Sequence, residues 1–169
     1  MAQYLYSYQG SEEKIAKAVG RSLPISTKQS IEICALIRNK PVSYAMNVLD
    51  SAAKLKQPLP FRRFVNGYGH KPGMASGRFA VNAAKGILET VNNAVKNAQN
   101  KSLGAELVIV HAVAQHASRS YRHGRQSRRK DKKTHVEIIV APAPVKEEGK
   151  GKERKGSDFT VPIVTLTGC

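Results

Sequence analysis

Acidic side chains are scarce in this sequence. Its 169 residues include 12 Asp and Glu against 28 Lys and Arg, which gives a formal net charge of +16. No acid occurs between Lys54 and Lys85, and the only aspartates are Asp50, Asp131 and Asp158. Paired-carboxylate and two-metal catalysis need clustered acids, so the sequence excludes both. A chain this basic repels itself, and its charge is typical of proteins whose usual neighbour is a polyanion such as nucleic acid.

Cysteine is nearly absent as well. The two cysteines, Cys34 and Cys169, cannot build a disulfide framework or a zinc site by themselves. Cys34 falls within a helical apolar pattern, so we expect a buried thiol there. Histidine is present, but the spacing of His111 and His116 fits neither a helical pair nor a same-face strand pair. We therefore expect no metal site and no cofactor.

The sequence also lacks a long hydrophobic run. The longest apolar stretch, about 107–114, is interrupted by His111 and is far too short to span a bilayer. The N-terminus, MAQYLYSYQG, lacks the basic start and apolar run of a signal peptide. We therefore expect a soluble cytoplasmic protein without a membrane partner. Apolar residues make up 41% of the chain, which is enough for one modest core.

Catalytic signatures are missing too. The chain has no P-loop, no dinucleotide-binding fingerprint and no G-x-S-x-G motif. One enzymatic alternative stays open: a phosphodiesterase-like nuclease that uses His111, His135 and nearby lysines on a phosphate. The residues otherwise favour binding over catalysis, so we expect neither an enzyme nor a small-molecule substrate.

Three helices are predicted from apolar spacing. The first follows Ser26 as N-cap and ends with the basic residues Arg38 and Lys40, Pro41 opens the second, and the third covers about 78–100. Their apolar stripes are Ile33, Leu36 and Ile37; Val42, Ala45, Met46, Leu49 and Ala53; and Ala80, Ala84, Ile87, Val91, Val95 and Ala98.

The residues before these helices give two further predictions. Alternating tyrosines predict a short strand over residues 1–10, and residues 12–19 suit one or two helical turns that end at Gly20.

Two alternating strands, ELVIVHAVAQ and THVEIIV, flank the most basic part of the chain. The first places Leu107, Ile109, His111 and Val113 on one face, and the two strands most simply pair antiparallel. The connection over residues 118–133 holds five Arg and three Lys, with Tyr121 and His123 as stacking planes. A charged run is often only a solvated face, but this one is held by strands at both ends, which favours nucleic-acid contact.

A second basic segment covers residues 59–76. Its sequence, LPFRRFVNGYGHKPGMAS, mixes Gly, Pro and aromatic residues with Arg and Lys, and we expect a long loop. The loop either binds nucleic acid or is merely structural. After APAPV, the tract KEEGKGKERKG cannot bury a core, and Pro162 interrupts the strand-like FTVPIVTLTGC. We therefore expect a nucleic-acid-binding domain over 1–141, with an arm at about 111–136, and a C-terminal extension over 142–169 that is flexible or docked on neighbours.

Several of these segments resemble one family in the right order. ISTKQSIEICALIRNKPVSYAMNVL resembles the first helix pair of the universal large-subunit ribosomal protein number twenty-two. NGYGHKPG before SGRFAVNAAKGIL is similar to the archaeal and eukaryotic branch, which is called protein seventeen in eukaryotic naming. NAVKNAQNKSL resembles the end of its long helix, and YRHGR with THVEII resembles its hairpin tip and return strand. The resemblance covers about residues 3–141, with a slightly shorter tip and no counterpart for the tail.

The resemblance implies an α+β fold with three helices packed on a small antiparallel three-stranded sheet and a long protruding β-hairpin. It implies a structural constituent of the large ribosomal subunit that binds large-subunit ribosomal RNA and bridges its domains during assembly. The hairpin tip is expected to line the nascent-peptide exit tunnel. Partners are then ribosomal RNA, neighbouring ribosomal proteins and the nascent peptide. The alternative is a free-standing RNA-binding or RNA-chaperone module outside the ribosome.

The resemblance and the basic segments together give the expected RNA-binding residues. In the globular part these are Ser26, Lys28, Arg38, Arg62, Arg63, His70, Lys71 and Arg78. In the arm they are Arg119, Tyr121, Arg122, His123, Gly124, Arg125, Arg128, Arg129, Lys130, Lys132 and Lys133. The family's tip pattern matches most firmly at Arg122, Gly124 and Arg125.

Overall fold

The computed structural model describes residues 4–8, 14–104 and 106–143. Their helices and strands are β1 (Ala16–Leu23), α1 (Thr27–Ile37), α2 (Val42–Ala53), β2 (Leu59–Pro60), β3 (His70–Lys71), β4 (Met74–Arg78), α3 (Val81–Asn100), β5 (Leu107–His116) and β6 (Thr134–Pro142). A short 3-10 helix, Gly124–Gln126, lies between the last two strands. The expectations for the tail beyond residue 143 fall outside the described residues.

β6 is the central strand of an antiparallel sheet with the order β1-β6-β5. Its residues Val136, Ile138 and Val140 are fully buried, as their alternation predicts. They share one core with the buried faces of α1, α2 and α3, so the three helices cover the same side of this sheet. The predicted α+β fold, three helices on a three-stranded antiparallel sheet, is confirmed.

The helices predicted from apolar spacing are all present. α1 begins directly after Ser26, although the Ser26 side chain makes no capping hydrogen bond. α2 begins after Pro41 rather than with it, because Pro41 forms a bridge to Val108 of β5. α3 begins at Val81 instead of Arg78, because the residues before it form β4. Local periodicity therefore predicts these helices correctly and misplaces only their first residues.

Residues 16–23 correct the prediction of helical turns before Gly20. They form β1, which pairs with β6 along most of its length. Ala16 and Ala18 face the core with outward residues between them, which is the alternation of a strand, and β1 is fixed by its pairing with β6. A Cβ added to Gly20 would lie 2.8 Å from Thr90 Oγ1 of α3. Glycine in β1 therefore allows α3 to approach the sheet closely.

The N-terminal tyrosines form no strand within residues 4–8, which corrects a second prediction. The segment lies across the outer face of the sheet, opposite the helices. The Tyr4 hydroxyl donates to Glu137 Oε1 at 2.7 Å, and the Ser7 N–H and O–H donate to Oε2 at 3.0 and 2.6 Å. The Tyr4 ring lies 4.8 Å from the Arg21 guanidinium, and the Tyr6 ring 5.3 Å from Lys17 Nζ. The segment is held by side-chain contacts rather than by strand pairing.

A β-bulge in β5 corrects the prediction that His111 and Val113 share a face with Leu107 and Ile109. The register shifts between Ile109, which pairs with Val140, and His111, which pairs with Ile139. An extra residue in one strand reverses the side-chain alternation beyond it. His111 and Val113 therefore lie on the outer face with Glu137, and Ala112 takes the core position.

The long loop predicted over residues 59–76 is only partly a loop. It contains a small antiparallel sheet with the order β2-β4-β3, in which Leu59 pairs with Arg78 and His70 with Ser76. The buried Phe61 ring packs edge-on against Tyr68, with the ring centroids 4.6 Å apart. These very short strands carry too few residues for alternation to reveal them.

Cys34 is fully buried on α1, which confirms the predicted buried thiol. Burial raises the pKa of its sulfhydryl to about 12. The thiol therefore stays protonated at neutral pH and lacks the thiolate that a nucleophile or metal ligand needs.

Glu137 is the buried charge on the outer face of the sheet. Burial raises the pKa of this carboxyl, but hydrogen bonds from Ser7 and Tyr4 outweigh burial and hold the pKa below its ordinary value of 4.5. Burial also lowers the pKa of the neighbouring His111 below its ordinary 6.5, against a smaller opposing effect of Glu137. In the folded protein Glu137 therefore stays ionised to lower pH, and His111 stays neutral to lower pH.

We expect Glu137→Gln to reduce the free energy of unfolding by about 1–3 kcal/mol, because three donors converge on this carboxylate and glutamine offers one acceptor oxygen. Urea denaturation at pH 7 measures the change. Asp50→Asn is the control, since the Asp50–Lys54 pair is exposed and should contribute less than about 1 kcal/mol. Equal small losses in both variants would contradict a stabilising role for Glu137.

The same denaturation series against pH should show stability falling in two ranges. Below about pH 6.5 the unfolded chain binds the His111 proton more readily than the folded chain, so stability declines. Below about pH 4.5 the stabilisation from Glu137 is lost as the pH falls through its folded pKa. Glu137→Gln should flatten the lower range, and an unchanged profile there would count against this assignment.

Candidate nucleic-acid interface

The basic arm, residues 117–133, continues the β5–β6 hairpin beyond the three-stranded sheet. β1 pairs with β6 as far as Thr134, so residues 111–116 of the predicted arm belong to the sheet. Within the arm the pairing is sparse: the Arg122 N–H donates to Arg129 O at 2.9 Å, and the Asp131 N–H donates to Ser120 O at 2.9 Å. Gly124 has φ +70°, so the apex needs a residue that tolerates the left-handed region.

Most arm cations are exposed and lack an acidic partner within the described residues. Arg122 is the exception, since its Nε lies 2.6 Å from Asp131 Oδ1. The other Arg and Lys of residues 118–133 make no ion pair with a described acid. The chain therefore presents a set of guanidinium and ammonium groups whose counter-charge must come from outside these residues.

Tyr121 is the exposed aromatic ring of the arm. Its exposed fraction is 57%, and Lys130 Nζ lies 4.9 Å from the ring centroid. An isolated bridge between these two residues places them opposite each other on the arm. His123, also exposed, precedes the apex. Tyr121 and Lys130 thus combine a stacking plane with a cation, as sequence-tolerant RNA contacts require.

Glu32 of α1 positions the second basic segment. Its buried carboxylate accepts the N–H groups of Arg62, Arg63 and Phe64 at 3.2, 2.6 and 2.8 Å. Three successive N–H groups around one anion form a nest that fixes the backbone. The side chains of Arg62 and Arg63 remain exposed. Sequence reasoning missed this role, although a lone acid inside the apolar pattern IEICALI of a basic chain was a usable signal.

A cleft lies between α1, the 62–64 segment and the base of the arm. Its cavity volume is about 320 Å³. The residues that line it are Ser26, Thr27, Lys28, Ile31, Phe64, His116, Arg119 and Lys132. The cleft thereby brings together four predicted RNA-binding residues that lie far apart in sequence: Ser26, Lys28, Arg119 and Lys132. Phe64 and His116 were not among the predicted residues, since nothing local connects either of them with α1.

The other predicted globular residues lie outside this cleft. The Arg38 guanidinium donates to Ala112 O at 2.8 Å, so it braces α1 against β5. His70, Lys71 and Arg78 belong to the small sheet, where the Arg78 guanidinium lies 5.2 Å from the ring centroid of Tyr68. Arg62 and Arg63 follow the small sheet's first strand and are exposed. Apart from Arg38, the structure therefore separates the predicted residues into the arm, the cleft and a small-sheet patch, which comprises Arg62, Arg63, His70, Lys71 and Arg78.

The histidines of the nuclease alternative do not meet. His111 pairs with Ile139, and His135 pairs with Gln115, so the two lie four residues apart along the strands, about 13 Å at about 3.3 Å per residue. The Ser7 O–H donates to Glu137, so Ser7 Oγ can only accept from His111 Nε2 at 3.0 Å. Ser7 is therefore no activated nucleophile, and His135 Nδ1 accepts the Ser22 N–H.

Within the part of the chain that the structure describes, no group of three or more His, Cys, Asp and Glu side chains is placed to hold a metal ion. None of α1, α2 and α3 has the length and hydropathy that a membrane crossing requires.

Comparison with known proteins identifies the family. A family model described as Ribosomal protein L22p/L17e matches residues 18–141. The large ribosomal subunit protein uL22 of Archaeoglobus fulgidus is 37% identical over 150 residues, which cover 83% of this chain and 97% of that protein. Its counterpart in Methanosphaera stadtmanae is 39% identical, with 82% and 96% covered, and that of Staphylothermus marinus is 36% identical, with 83% and 98% covered. The family resemblance of the sequence motifs is confirmed, and the chain belongs to the ribosomal protein L22p/L17e family.

Proposed function

We propose that this chain, a structural ribosomal protein rather than an enzyme, binds large-subunit ribosomal RNA through its arm and cleft. The observation that carries the proposal is the set of exposed arm cations that no described acid neutralises. RNA phosphates supply that counter-charge, and release of their condensed counterions drives the association. The family match supports the ribosome as the setting.

We propose that the residues predicted from the sequence bind the RNA and that they contribute unequally to the RNA affinity. Arg125, Arg128 and Arg129 are exposed and make no ion pair with an acid of the described residues, so their guanidinium groups suit bidentate phosphate contacts. Arg122 and Arg38 already donate to Asp131 and to Ala112 O, so their share of the RNA affinity is smaller.

The separation of the arm from the small-sheet patch supports a bridging role. Arg62 and Arg63 project from the 62–64 segment, which Glu32 fixes, while the arm leaves the sheet at the other side of the cleft. Two cationic surfaces on one domain bind two RNA segments, and the distance between them becomes fixed once RNA orders the arm. We therefore propose that the protein holds RNA domains together during assembly of the subunit.

The family resemblance also implies a place for the arm apex at the wall of the nascent-peptide exit tunnel, and we include this in the proposal. The arm has about eight residues on each side of its apex, so at about 3.3 Å per residue its reach beyond the sheet is at most roughly 25 Å, and the 3-10 helix Gly124–Gln126 shortens it. The exposed Arg125 lies at this apex. A photocrosslinker in place of Arg125 in intact subunits should reach RNA at the tunnel and stalled nascent chains.

Residues 142–169 are proposed to be an extension outside the RNA-binding unit that contacts neighbouring ribosomal proteins. The family match ends at residue 141, and the Archaeoglobus fulgidus relative is covered almost completely while part of this chain is not. β6 ends at Pro142, and the Ala143 N–H donates to Glu106 O at 2.9 Å.

The alternative, a free-standing RNA-binding module, would present the same basic surface. Co-sedimentation separates the two, because a structural constituent remains with large subunits through a high-salt wash. A protein that leaves the particle in that wash, yet still binds RNA alone, would favour the free-standing module.

We expect replacement of Arg125 and Arg128 by alanine to weaken binding of large-subunit RNA fragments and to lower the salt dependence of binding. Each phosphate contact removed should reduce the slope of log K against log salt by roughly 1. Filter binding over a salt series measures this slope. The control removes two exposed lysines of α3, Lys85 and Lys96, which leaves the same net charge. Equal effects of the two double variants would show that only net charge matters.

Amide exchange in the free protein should distinguish the arm from the sheet. An arm with few cross-strand hydrogen bonds and no core of its own opens easily, so we expect residues 118–133 to exchange rapidly and the central amides of β6 slowly. Slow exchange throughout the arm would contradict this expectation. Protection that appears on addition of large-subunit RNA would show that RNA orders the arm.

A further inference from the structure

We propose that the cleft binds one unpaired RNA nucleotide, with its base stacked on Phe64 and its phosphate held by Lys28, Arg119 and Lys132. The inference rests on the RNA binding proposed above and adds a ligand conformation: a nucleotide outside the helical stack. It concerns a site built from α1, the 62–64 segment and the base of the arm.

The shape and lining of the cleft suit a small planar ligand. Its cavity of about 320 Å³ lies at the lower end of the range of about 300–1,000 Å³ that is usual for small-molecule sites. Phe64 and Ile31 give it an apolar side, and Ser26 and Thr27 add backbone and hydroxyl groups. The Phe64 ring is half-buried and thus retains surface for a stacked base.

The charges around the cleft select an anion. Three of the lining residues, Lys28, Arg119 and Lys132, carry positive charge, and no acid among the described residues lines the cavity. None of the three makes an ion pair with an acid of the described residues. Lys28 Nζ lies 5.8 Å from the Phe64 ring centroid, so a phosphate on this ammonium places its own base within reach of the ring. An acidic peptide would use the cations but not the aromatic plane.

His116 adds a directed donor to the cleft. The Arg119 guanidinium lies 3.1 Å from His116 Nδ1, and since arginine only donates, this nitrogen accepts. Thr27 Oγ1 lies 3.3 Å from the same nitrogen. With Nδ1 as the acceptor, Nε2 is the ring nitrogen left to donate, and we assign it to an acceptor on the ligand, such as a base carbonyl or a phosphate oxygen.

The walls of the cleft that come from α1 and the 62–64 segment are fixed before a ligand arrives. The Phe64 N–H donates to Glu32 Oε1 at 2.8 Å, which holds the residue next to α1. Thr134 donates to Ile25 O at 2.9 Å, and its Oγ1 lies 2.9 Å from Thr27 Oγ1, which ties the start of α1 to β6. These two walls lose little conformational entropy on binding, whereas Arg119 and Lys132 are ordered together with the arm.

Only an unpaired nucleotide can use the aromatic wall. Bases in an A-form duplex are stacked on their neighbours and expose mainly phosphates and 2′-hydroxyls. A bulged or flipped base is free to enter a pocket and stack on an aromatic side chain. Duplex RNA, by contrast, should bind through the arm cations without contacting Phe64.

The test compares two RNA hairpins that differ by one bulged 2-aminopurine, with the paired version carrying the same base opposite uracil. We expect full-length protein to bind the bulged RNA more tightly and to quench its fluorescence. Phe64→Leu should weaken that binding about 5- to 100-fold, as expected for loss of one base–aromatic stack, and leave the paired RNA unchanged. Phe64→Tyr keeps the ring and should retain both the preference and the quenching.

Matched variants make the outcomes distinct. Arg128→Ala, in the arm, should weaken both RNAs by the same factor, and thermal unfolding checks that each variant is folded. If wild-type protein binds both RNAs equally and Phe64→Leu changes neither, the nucleotide site is wrong while RNA binding stands. If neither RNA binds, the proposed function itself fails. A Glu-rich peptide that binds more tightly than the bulged RNA, and depends on Phe64, would assign the cleft to protein instead.

Discussion

The buried carboxylates of Glu32 and Glu137 accept hydrogen bonds from N–H and O–H groups rather than from Lys or Arg side chains. The positions of two segments of the chain depend on these hydrogen bonds. Glu137 holds the N-terminal segment on the outer face of the sheet, and Glu32 holds the 62–64 segment against α1. A buried carboxylate needs such donors to offset its desolvation. Because these donors are neutral, the two acids fix the fold without consuming cations, and the chain keeps its positive charge for an external anion.

That arrangement has an energetic consequence for the free protein. Cations left without internal partners repel one another, and the arm has neither a core nor a continuous ladder of hydrogen bonds to oppose the repulsion. Stability is concentrated in the helices and the three-stranded sheet, where the apolar side chains are buried. RNA phosphates would neutralise this repulsion and would order the arm in the same step. RNA binding and folding of the arm would then be coupled.

The sequence predicts well what local periodicity controls. The helices, the β5–β6 pair and the buried thiol of Cys34 all follow from spacing within a single segment. β1, the bulge at Ile109–His111 and the course of residues 4–8 do not, because pairing with β6 or contact with Glu137 decides them. The cleft is harder still, since its walls come from segments separated by up to about a hundred residues, and only the fold brings them together. The basic residues and the aromatic residues next to Arg62 and Arg63 were visible in the sequence, but nothing local indicated that Phe64 would meet Lys28 and the base of the arm.

The cations of this chain also differ in what they can offer RNA, which composition alone does not reveal. Some are engaged internally, as Arg38 is with Ala112 O and Arg122 with Asp131. Others lie over aromatic rings, as Lys130 does over Tyr121, and keep their charge while they orient a stacking plane. Arg125 and Arg128 are exposed without such contacts, and they lie at the part of the arm that extends farthest from the sheet. The internally bonded cations thus shape the protein, and those without an acidic partner among the described residues remain for the phosphates, both at the apex of the arm and at its base.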